Sequence, residues 1–353
     1  MPRLLPLALV AAAIASPSAS QVASPMTEQA ATDPFLADEA KAVVENLAVA
    51  LEKNFVFPAA AKAYAAKLRA NLASGAYDSF PDAKAFAEQV TADLQAVHKD
   101  GHLHLHIIPP KDRGGSDAAG PIGLPDGSAI TKSGWLAPGV AYVSFSMFPG
   151  NEATLAELRR FLDDHRDAKT LIIDARGHRG GGVDEMDLIL GEIFSEPTEL
   201  LTMDTRRAAD EEVSDPASIK IVPTSEDVVR RIHTALPDST PTELRKAQIY
   251  YLTSKRTASA GEHLALALKR THRATLIGET TRGAGHYGSF VPVGSFYAAF
   301  IPNGRTFDPD TGEGWEGIGV APDVTVAADD ALNEALRRVG IGVTGEAALA
   351  ALR

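Results

Sequence analysis

The sequence predicts an α/β protein that begins with a bundle of three helices. Up to about residue 98 the apolar residues recur at helical spacing, and beyond that point short buried strands alternate with helices. Such alternation is typical of helices packed on a mainly parallel sheet. The chain has 353 residues, of which 45% are hydrophobic and 23% charged. These values are those of a globular protein, and the length suits roughly two domains.

The first residues have the three parts of a secretory signal peptide. Arg3 precedes the apolar run 4–15, and Ser18 and Ser20 fit a small-x-small cleavage site. The run is too short to cross a bilayer. We therefore expect residues 1–20 to be a signal peptide and the protein to be exported, either to a periplasm or to the outside. No later apolar run is long enough to span a membrane, so none is expected after signal cleavage.

Three amphipathic stripes predict an N-terminal helical bundle over residues 36–98. Each stripe repeats at three- or four-residue spacing, and Pro58, Gly75 and Pro81 separate them. The stripes are Ala40, Val44, Leu47 and Leu51; Ala61, Tyr64, Leu68 and Leu72; and Phe86, Val90, Leu94 and Val97.

Residues 99–345 are expected to form the α/β core. Residues 110–139 are rich in Gly and Pro and predict a loop that could hold a short hairpin. Residues 203–245 are charged and poorly patterned, which favours an irregular lid with one helical stretch near 226–235. Strands are expected at 102–109, 140–145, 170–173, 248–252, 275–278 and within 289–301, and helices at 155–162, 186–194, 259–269 and 331–339.

Charge and cysteine content exclude several function classes. With 34 basic and 46 acidic residues the formal net charge is −12, so a nucleic-acid partner is not expected. The sequence contains no cysteine, which excludes a thiol nucleophile, disulfides and thiolate metal sites.

Ser259 begins a helix directly after a predicted buried strand. A serine at such a turn lies beside the free N–H groups and the dipole of the helix N-terminus, which favour a developing oxyanion. The alternative is structural, because Ser259 and Glu262 also fit the S-x-x-E capping box that simply starts a helix.

A second turn, residues 174–182, contains three consecutive glycines after a strand. Glycines allow backbone N–H groups to face a ligand oxygen. A phosphate loop is one reading, although no G-K-[ST] follows. An oxyanion cradle and a plain tight turn are the others.

Three histidines, His102, His104 and His106, alternate along one predicted strand. They could share one face and bind zinc, could supply a general base, or could be unliganded. Glu316 lies in a Gly- and Trp-containing stretch near the C-terminus, where a carboxylate could orient a catalytic group.

Together these segments resemble the tail-specific (C-terminal processing) serine peptidase superfamily. The branch is similar to tricorn core protease and to the modules of interphotoreceptor retinoid-binding protein. The resemblance covers almost the whole chain after residue 20. It is carried by the segments at 54–58, 74–78, 100–103, 173–181, 257–262, 278–281 and 315–323.

The resemblance implies a helical bundle packed on a crotonase/ClpP-like α/β core. Many members carry a PDZ domain between the histidine region and the first core strand. Residues 109–138 are too few for such a domain, which needs about 50 residues, so no PDZ domain is expected.

Site roles are also implied residue by residue. Ser259 matches the nucleophile, His102 the general base and Glu316 the supporting carboxylate. The lysine base of the processing branch is not available, because the sequence has Gly283-Ala284-Gly285 where that branch has G-K-G. The N–H groups expected to form the oxyanion hole are those of Ala260 and of Gly180 or Gly181.

Two positions depart from the family pattern. Gly101 precedes His102, where the tricorn-like branch has a serine, and His178 replaces the usual asparagine of the glycine turn. Arg176, His178, His286 and Tyr287 are candidates for substrate contact, although an ion pair is an equally plain role for Arg176.

The expected function is that of an exported serine-type peptidase that acts on a peptide or protein through an acyl-enzyme. The expected mechanism requires no metal and no organic cofactor. The oligomeric state is left open. Three alternatives remain: a carrier of apolar ligands such as retinoids or fatty acids, a zinc hydrolase using the three histidines, and an interaction scaffold with a degenerate site.

Overall fold

The computed structural model describes residues 33–108, 125, 127–210, 215–224 and 227–352. The expected signal peptide, residues 1–20, lies outside this part. No helix among the described residues is both long enough and apolar enough to cross a membrane. The helices are α1 (Ala37–Asn54), α2 (Pro58–Ala73), α3 (Ala83–Val97), α4 (Glu152–Asp164), α5 (Asp184–Ile193), α6 (Ala260–Arg270), α7 (Ala331–Arg338) and α8 (Gly345–Ala350).

The strands form two six-stranded sheets. They are β1 (His104–Ile107), β2 (Ile130–Ala137), β3 (Val140–Phe145), β4 (Thr170–Asp174), β5 (Thr198–Arg206), β6 (Ile219–Val222), β7 (Val228–Ala235), β8 (Gln248–Thr253), β9 (Thr275–Gly278), β10 (His286–Pro292), β11 (Tyr297–Phe307) and β12 (Val324–Thr325).

The predicted three-helix bundle is confirmed. The helix α2 starts at Pro58, whose fixed φ suits the first helical position. Helix α3 is capped by Asp82, whose carboxylate accepts the Ala85 N–H at 2.8 Å. The three apolar stripes are buried together against β1 and β11, in a core that includes Leu105 and Tyr297. The bundle therefore packs directly on a sheet.

The first sheet, in the order β12-β9-β8-β4-β3-β2, is parallel except for the β2–β3 hairpin. One face packs against α4, α5 and α6, and the other against α7 and α8. The predicted alternation of strands and helices is confirmed here. Strand β2 lies within residues 110–139, but its hairpin partner is β3, which follows that stretch. Residues 110–124 and 126 lie outside the described part.

The second sheet is antiparallel, in the order β1-β11-β5-β7-β6, with β10 also paired to β11. The predictions of a helix near 226–235 and of an irregular lid over 203–245 are wrong for the described residues, because β5, β6 and β7 are strands. The physical reason lies in β7, where alternate residues are buried but two of those four, Arg231 and His233, are not apolar. Buried Arg231 is paired with Asp210 and Asp215, so hydropathy did not reveal the strand period.

Candidate active site

Ser259 stands at the N-terminus of α6 in an unusual backbone conformation. Its φ is 52° and its ψ is −116°, a region that residues with a side chain rarely occupy. Such a conformation costs about 1–3 kcal/mol and persists only where the surrounding structure holds it. Strain of this kind clusters at catalytic turns.

The glycine turn lies directly against Ser259. A Cβ atom added to Gly180 would lie 3.0 Å from the Ser259 Cβ and 3.4 Å from its Oγ. The next residue, Gly181, has φ 130°, and a Cβ there would lie 1.8 Å from the Phe148 carbonyl oxygen. Only glycine fits this position, since the backbone of the turn packs against residue 148.

The free N–H groups at this turn are those of Gly181 and Ala260. The Gly180 N–H donates to Nδ1 of His178 at 3.2 Å, so it is already engaged. Within the described residues, no acceptor receives the N–H of Gly181 or of Ala260. Two unpaired amides beside a serine hydroxyl can bind an oxyanion.

Hydrogen bonds join the serine loop to the glycine turn. The Thr257 hydroxyl donates to the Ala175 carbonyl at 2.7 Å, and the Ser254 hydroxyl donates to the Arg176 carbonyl at 2.7 Å. The Ala258 N–H donates to the His178 carbonyl at 3.0 Å. These contacts keep Ser259 in its strained conformation.

Glu262 does far more than cap α6. One of its carboxylate oxygens accepts the N–H groups of Ser259 (2.8 Å) and Ala284 (2.9 Å). The other accepts the Thr281 hydroxyl (2.5 Å) and the Gly283 N–H (2.6 Å). Burial raises the pKa of Glu262, and these donors oppose that rise. The capping interpretation is therefore right but incomplete, because the same carboxylate fixes the loop after β9.

His102 is held by two carboxylates that act on neighbouring backbone. Asp100 is buried and accepts the N–H groups of His102 (2.9 Å) and Leu103 (3.1 Å). Glu316 accepts the Gly101 N–H at 2.7 Å. Hydrogen bonds therefore hold the backbone before and after His102 in the short segment that precedes β1.

The same two carboxylates bind the loop around His286. Glu316 accepts the N–H groups of Gly285 (2.6 Å) and His286 (3.0 Å). Asp100 bonds to Nδ1 of His286 at 2.7 Å. Although burial raises the pKa of Asp100, His286 and the His102 N–H hold it below its ordinary value.

The structure brings the His102 segment and the Ser259 loop into one cluster. A Cβ added to Gly101 would lie 3.4 Å from the Ala284 Cα, and Ala284 shares the Glu262 carboxylate with Ser259. Ala284 stands where the processing branch has its lysine.

The surroundings of the His102 imidazole favour its neutral form, which is the form that can accept a proton. Burial lowers its pKa below the usual value, and the negative charges of Asp100 and Glu316 oppose that change. The ring packs on Phe300, with 5.4 Å between centroids. Its Nδ1 is buried and has no hydrogen-bond partner among the described residues.

The zinc alternative is not supported by the positions of the three histidines. Among the described residues, the side chains whose ligand atoms converge are those of Asp100, His286 and Glu316, and these atoms already make the hydrogen bonds given above. His106 instead packs its ring on Phe290.

The remaining candidate residues are held in different ways. Arg176 forms an ion pair with Asp174 at 2.5 Å and donates to the Ala328 carbonyl, which is the plain role considered for it. The ring of Tyr287 lies against Gly304, and its hydroxyl bonds to Thr205 at 2.7 Å.

His178 is fully buried beneath the glycine turn, and burial lowers its pKa to about 3. Its ring packs on Phe148 at 4.2 Å between centroids. A Cβ added to Gly261 would lie 2.8 Å from its Nδ1. His178 is therefore a neutral packing residue that orients the Gly180 amide.

Sequence reasoning gave no role to Asp100 and only a capping role to Glu262. Both lie within three residues of a predicted catalytic residue. A short-range acidic neighbour was the available signal. Their distant partners could not be read from the sequence: the amides of Gly283 and Ala284 for Glu262, and the His286 imidazole for Asp100.

A strained serine at a helix N-terminus, beside unpaired amides, is an arrangement typical of serine hydrolases. The chain belongs to peptidase family S41, whose model matches residues 139–326. The model for the N-terminal domain of that family in eukaryotic IRBP matches residues 29–126.

Solved structures with a similar fold include the following three proteins. A photosystem II D1 C-terminal processing protease has a TM-score of 0.51 and 15% identity over 82% of this chain and 93% of that chain. A lipoprotein from Streptococcus agalactiae has a TM-score of 0.55 and 12% identity over 87% and 98%. The tricorn protease has a TM-score of 0.53 and 14% identity over 89% and 36%. At these identities the similarity is one of fold.

Proposed function

We propose that Ser259 is the nucleophile of an exported peptidase, with His102 as its general base and Glu316 as the supporting carboxylate. The observation that carries this proposal is the left-handed backbone of Ser259 beside two unengaged amides. Peptides or proteins are the substrates, as membership of the family implies.

The reaction begins when His102 takes the proton of the Ser259 hydroxyl as the oxygen attacks a peptide carbonyl. The carbonyl oxygen gains negative charge and is bound by the N–H groups of Ala260 and Gly181. His102 then protonates the leaving amine, and an acyl-enzyme forms. Water, activated by the same imidazole, releases the acid and restores the serine.

Gly181 is favoured over Gly180 as the second oxyanion donor. The Gly180 amide already donates to His178, whereas the Gly181 amide has no acceptor within the described residues. Losing one oxyanion donor typically lowers kcat by about 10²–10³. His178 then acts as a positioning residue rather than as a substrate contact.

Glu316 supports the base through the backbone. Its carboxylate binds the N–H of Gly101, the residue before the imidazole, and those of Gly285 and His286. Its negative charge also favours the imidazolium that forms during attack. In this arrangement Glu316 does not receive the transferred proton.

Labelling with a serine-directed fluorophosphonate tests the proposal. We expect an adduct on Ser259, mapped by mass spectrometry on residues 21–353. It should be absent in Ser259→Ala and at least about 100-fold slower in His102→Ala, because the alkoxide is no longer generated. Exposed Ser295→Ala and the neighbouring His104→Ala serve as matched controls and should label normally.

The proposal fails if folded protein gives no adduct, or if His102→Ala labels as fast as the parent. In that case the carrier alternative is preferred, and titration with a fluorescent fatty acid or retinoid examines it directly.

The same proposal includes a division of the chain into a bundle over 36–98 and a catalytic core over 99–345. It also includes export after cleavage near Ser20. Export follows from the signal-like pattern of residues 1–20. Expression of the full chain in a bacterial host, followed by N-terminal sequencing of the exported fraction, checks it. A new N-terminus at Gln21 is expected, and protein retained in the cytoplasm with Met1 contradicts it.

A further inference from the structure

A buried carboxylate–imidazole pair lies beside His102 but takes no part in the proposed proton transfer. Nδ1 of His286 lies 2.7 Å from a carboxylate oxygen of Asp100. Only 8% of the His286 side chain and 0% of the Asp100 side chain are exposed. A carboxylate buried to this extent is costly to keep ionised unless it is paired and hydrogen-bonded. Asp100 therefore depends on the partners that surround it.

The two oxygens of Asp100 bind different partners. Oδ1 accepts the N–H groups of His102 (2.9 Å) and Leu103 (3.1 Å), whereas Oδ2 faces Nδ1 of His286. The backbone of Asp100 is fixed by Gln95, which accepts its N–H at 3.0 Å and donates to its carbonyl at 2.9 Å. The direction of the carboxylate then depends on the two amides at one oxygen and on His286 at the other.

The imidazole of His286 is held in place from several sides. Its backbone N–H donates to Glu316 at 3.0 Å, and its ring packs edge-on against Phe57 with 5.4 Å between centroids. The pKa of Asp100 is below its ordinary value, although burial opposes this, so the carboxylate is ionised near neutral pH. An ionised carboxylate only accepts hydrogen bonds, and Nδ1 of His286 therefore carries the proton.

His102 differs in this respect from the base of a serine–histidine–carboxylate triad. In such a triad the carboxylate accepts a hydrogen bond from Nδ1 of the base itself. Nδ1 of His102 has no hydrogen-bond partner among the described residues, and Asp100 bonds instead to the backbone N–H of the base. Asp100 thus acts on His102 through the backbone and through its negative charge.

Other titratable groups face the pair from neighbouring segments. Oε2 of Glu316 lies 3.9 Å from Nδ1 of His286. Arg305 is opposite His286 in the register of β10 and β11, and both line a cavity of about 190 Å³. Burial and the charges of Asp100 and Glu316 raise the pKa of Tyr64, so this phenol stays neutral. These neighbours carry constant charge near neutral pH.

The proton affinity of His102 reflects these charges. Burial lowers its pKa, the charge of Asp100 opposes that change most strongly, and Glu316 adds to the opposition. The charges of His286 and Arg282 lower it by smaller amounts. Loss of the negative charge of Asp100 would therefore outweigh loss of His286 itself.

We infer that His286 is a positioning residue for His102, because it holds the Asp100 carboxylate ionised and directed at the backbone of the base. The inference rests on the proposed function, in which His102 is the general base. Without the His286 N–H, the buried carboxylate of Asp100 takes up a proton more readily. Neutral Asp100 no longer stabilises the imidazolium, so His102 should bind its proton less tightly.

Titration of His102 by nuclear magnetic resonance tests the inference without requiring activity. The chain has 10 histidines, which are labelled with ¹³C at Cε1, and the His102 signal is the one lost in His102→Ala. In His286→Leu it should titrate about one pH unit lower than in the parent. In His286→Asn it should titrate as in the parent, because the side-chain NH₂ can replace the Nδ1 donor.

A combined variant shows whether His286 acts through Asp100. Asp100→Asn removes the charge and should itself lower the His102 titration. Adding His286→Leu to Asp100→Asn should lower it no further, since the two changes interrupt one chain of contacts.

His165→Leu is the matched control for the loss of a buried histidine. His165 is buried, and its Nδ1 lies 2.7 Å from the Phe161 carbonyl oxygen. This variant should unfold at a lower temperature than the parent but leave the His102 titration unchanged. If His286→Leu does not fold, His286→Gln replaces it, because its longer side chain carries the amide past the position of Nδ1.

Fluorophosphonate labelling of Ser259 gives the functional readout. At pH 7 we expect His286→Leu to label at least about tenfold more slowly than the parent. His286→Asn should retain most of the parent rate, since the carboxylate keeps its partner.

The inference is overturned if His102 titrates in folded His286→Leu as it does in the parent. It is also overturned if His286→Asn moves the titration as far as His286→Leu, or if the combined variant moves it further than Asp100→Asn alone. Absence of labelling in the parent contradicts the proposed nucleophile instead, and the His102 titration is read independently of it.

Discussion

The two halves of the candidate site are held by different means. The Ser259 half belongs to the parallel sheet, and its loops are joined mainly by backbone and hydroxyl contacts. The His102 half precedes an edge strand of the antiparallel sheet, and the carboxylates of Asp100 and Glu316 hold it.

This difference teaches where each half is vulnerable. Backbone contacts depend little on which side chains are present, whereas a carboxylate that binds three amides depends on its own charge and shape. A substitution that keeps the size of Glu316 but removes its charge should therefore disturb the base and spare the nucleophile. On the serine side, Glu262 is the exception, because its carboxylate holds the Ser259 loop through hydrogen bonds. The same carboxylate also binds the loop that contains Ala284, which contacts Gly101.

The largest effect is expected when one or both of the two reacting groups are removed. Ser259→Ala and His102→Ala should each lower kcat by about 10⁴–10⁶. The kcat of the double variant should be no lower than that of the less active single variant. The reason is that both groups act in one proton-transfer step. Steady-state hydrolysis of a peptide substrate measures this.

If the double variant instead loses the product of the two single effects, the halves act independently and the proposed pair is wrong. Thermal unfolding of each variant provides the control. Both should unfold within a few degrees of the parent, since Ser259→Ala leaves the backbone contacts in place.

The next effect is that of Glu316→Gln. The amide places an NH₂ group against at least one of the N–H groups of Gly101, Gly285 and His286. One unsatisfied donor costs about 1–3 kcal/mol, so kcat/KM should fall about 10- to 100-fold. Exposed Glu313→Gln, three residues away, is the matched control and should keep full activity.

The pH profile distinguishes a positioning role from a merely structural one. Burial lowers the pKa of His102, and the charge of Glu316 opposes that lowering. The acid limb of kcat/KM should therefore move to lower pH in Glu316→Gln. An unchanged limb with reduced stability would show that Glu316 acts only on folding.

A smaller effect concerns His178 and acid stability. Its folded pKa of about 3 lies below the unfolded value of about 6.5. The unfolded chain therefore binds the extra proton, and stability is lost as pH falls below 6.5. His178→Asn should lose about 1 kcal/mol less stability than the parent between pH 7 and 5.5.

Urea unfolding at the two pH values measures this difference. The variant is expected to be less stable at pH 7, because the contact with Phe148 is reduced, so only the change with pH is decisive. Exposed His98→Asn should retain the full acid sensitivity. The same sensitivity in His178→Asn would show that His178 is not the responsible group.

The sequence allowed the bundle and the parallel sheet to be predicted because apolar periodicity determines both. It also allowed the family to be identified, and Ser259 and the glycine turn to be proposed as parts of the site, since these are local motifs. The strand β7 was missed because its buried Arg231 and His233 are satisfied by distant partners, Asp210, Asp215, Asp187 and His263. Such pairing depends on tertiary contact, which no local pattern contains.

The choice between Gly180 and Gly181 was open for a similar reason. Both glycines fit an oxyanion turn by sequence. They differ in the hydrogen bond that the Gly180 N–H donates to Nδ1 of His178, the residue that stands in place of the family's asparagine.

The smallest expected effect is a gain, produced by Gly101→Ser. A Cβ at this position would lie 3.4 Å from Oε1 of Glu316 and from its other nearest neighbours, so the side chain fits without severe overlap. Its hydroxyl can bond to Glu316 and face the unpartnered Nδ1 of His102. A net hydrogen bond contributes about 1 kcal/mol. We therefore expect kcat to rise about threefold, with the acid limb of the pH profile moving up because the imidazolium gains an acceptor. Gly101→Ala supplies the Cβ without the hydroxyl and should give no gain. Equal kcat values for the serine and alanine variants would contradict this prediction. They would show that the missing hydrogen bond at Nδ1 does not reduce the rate of proton transfer to His102.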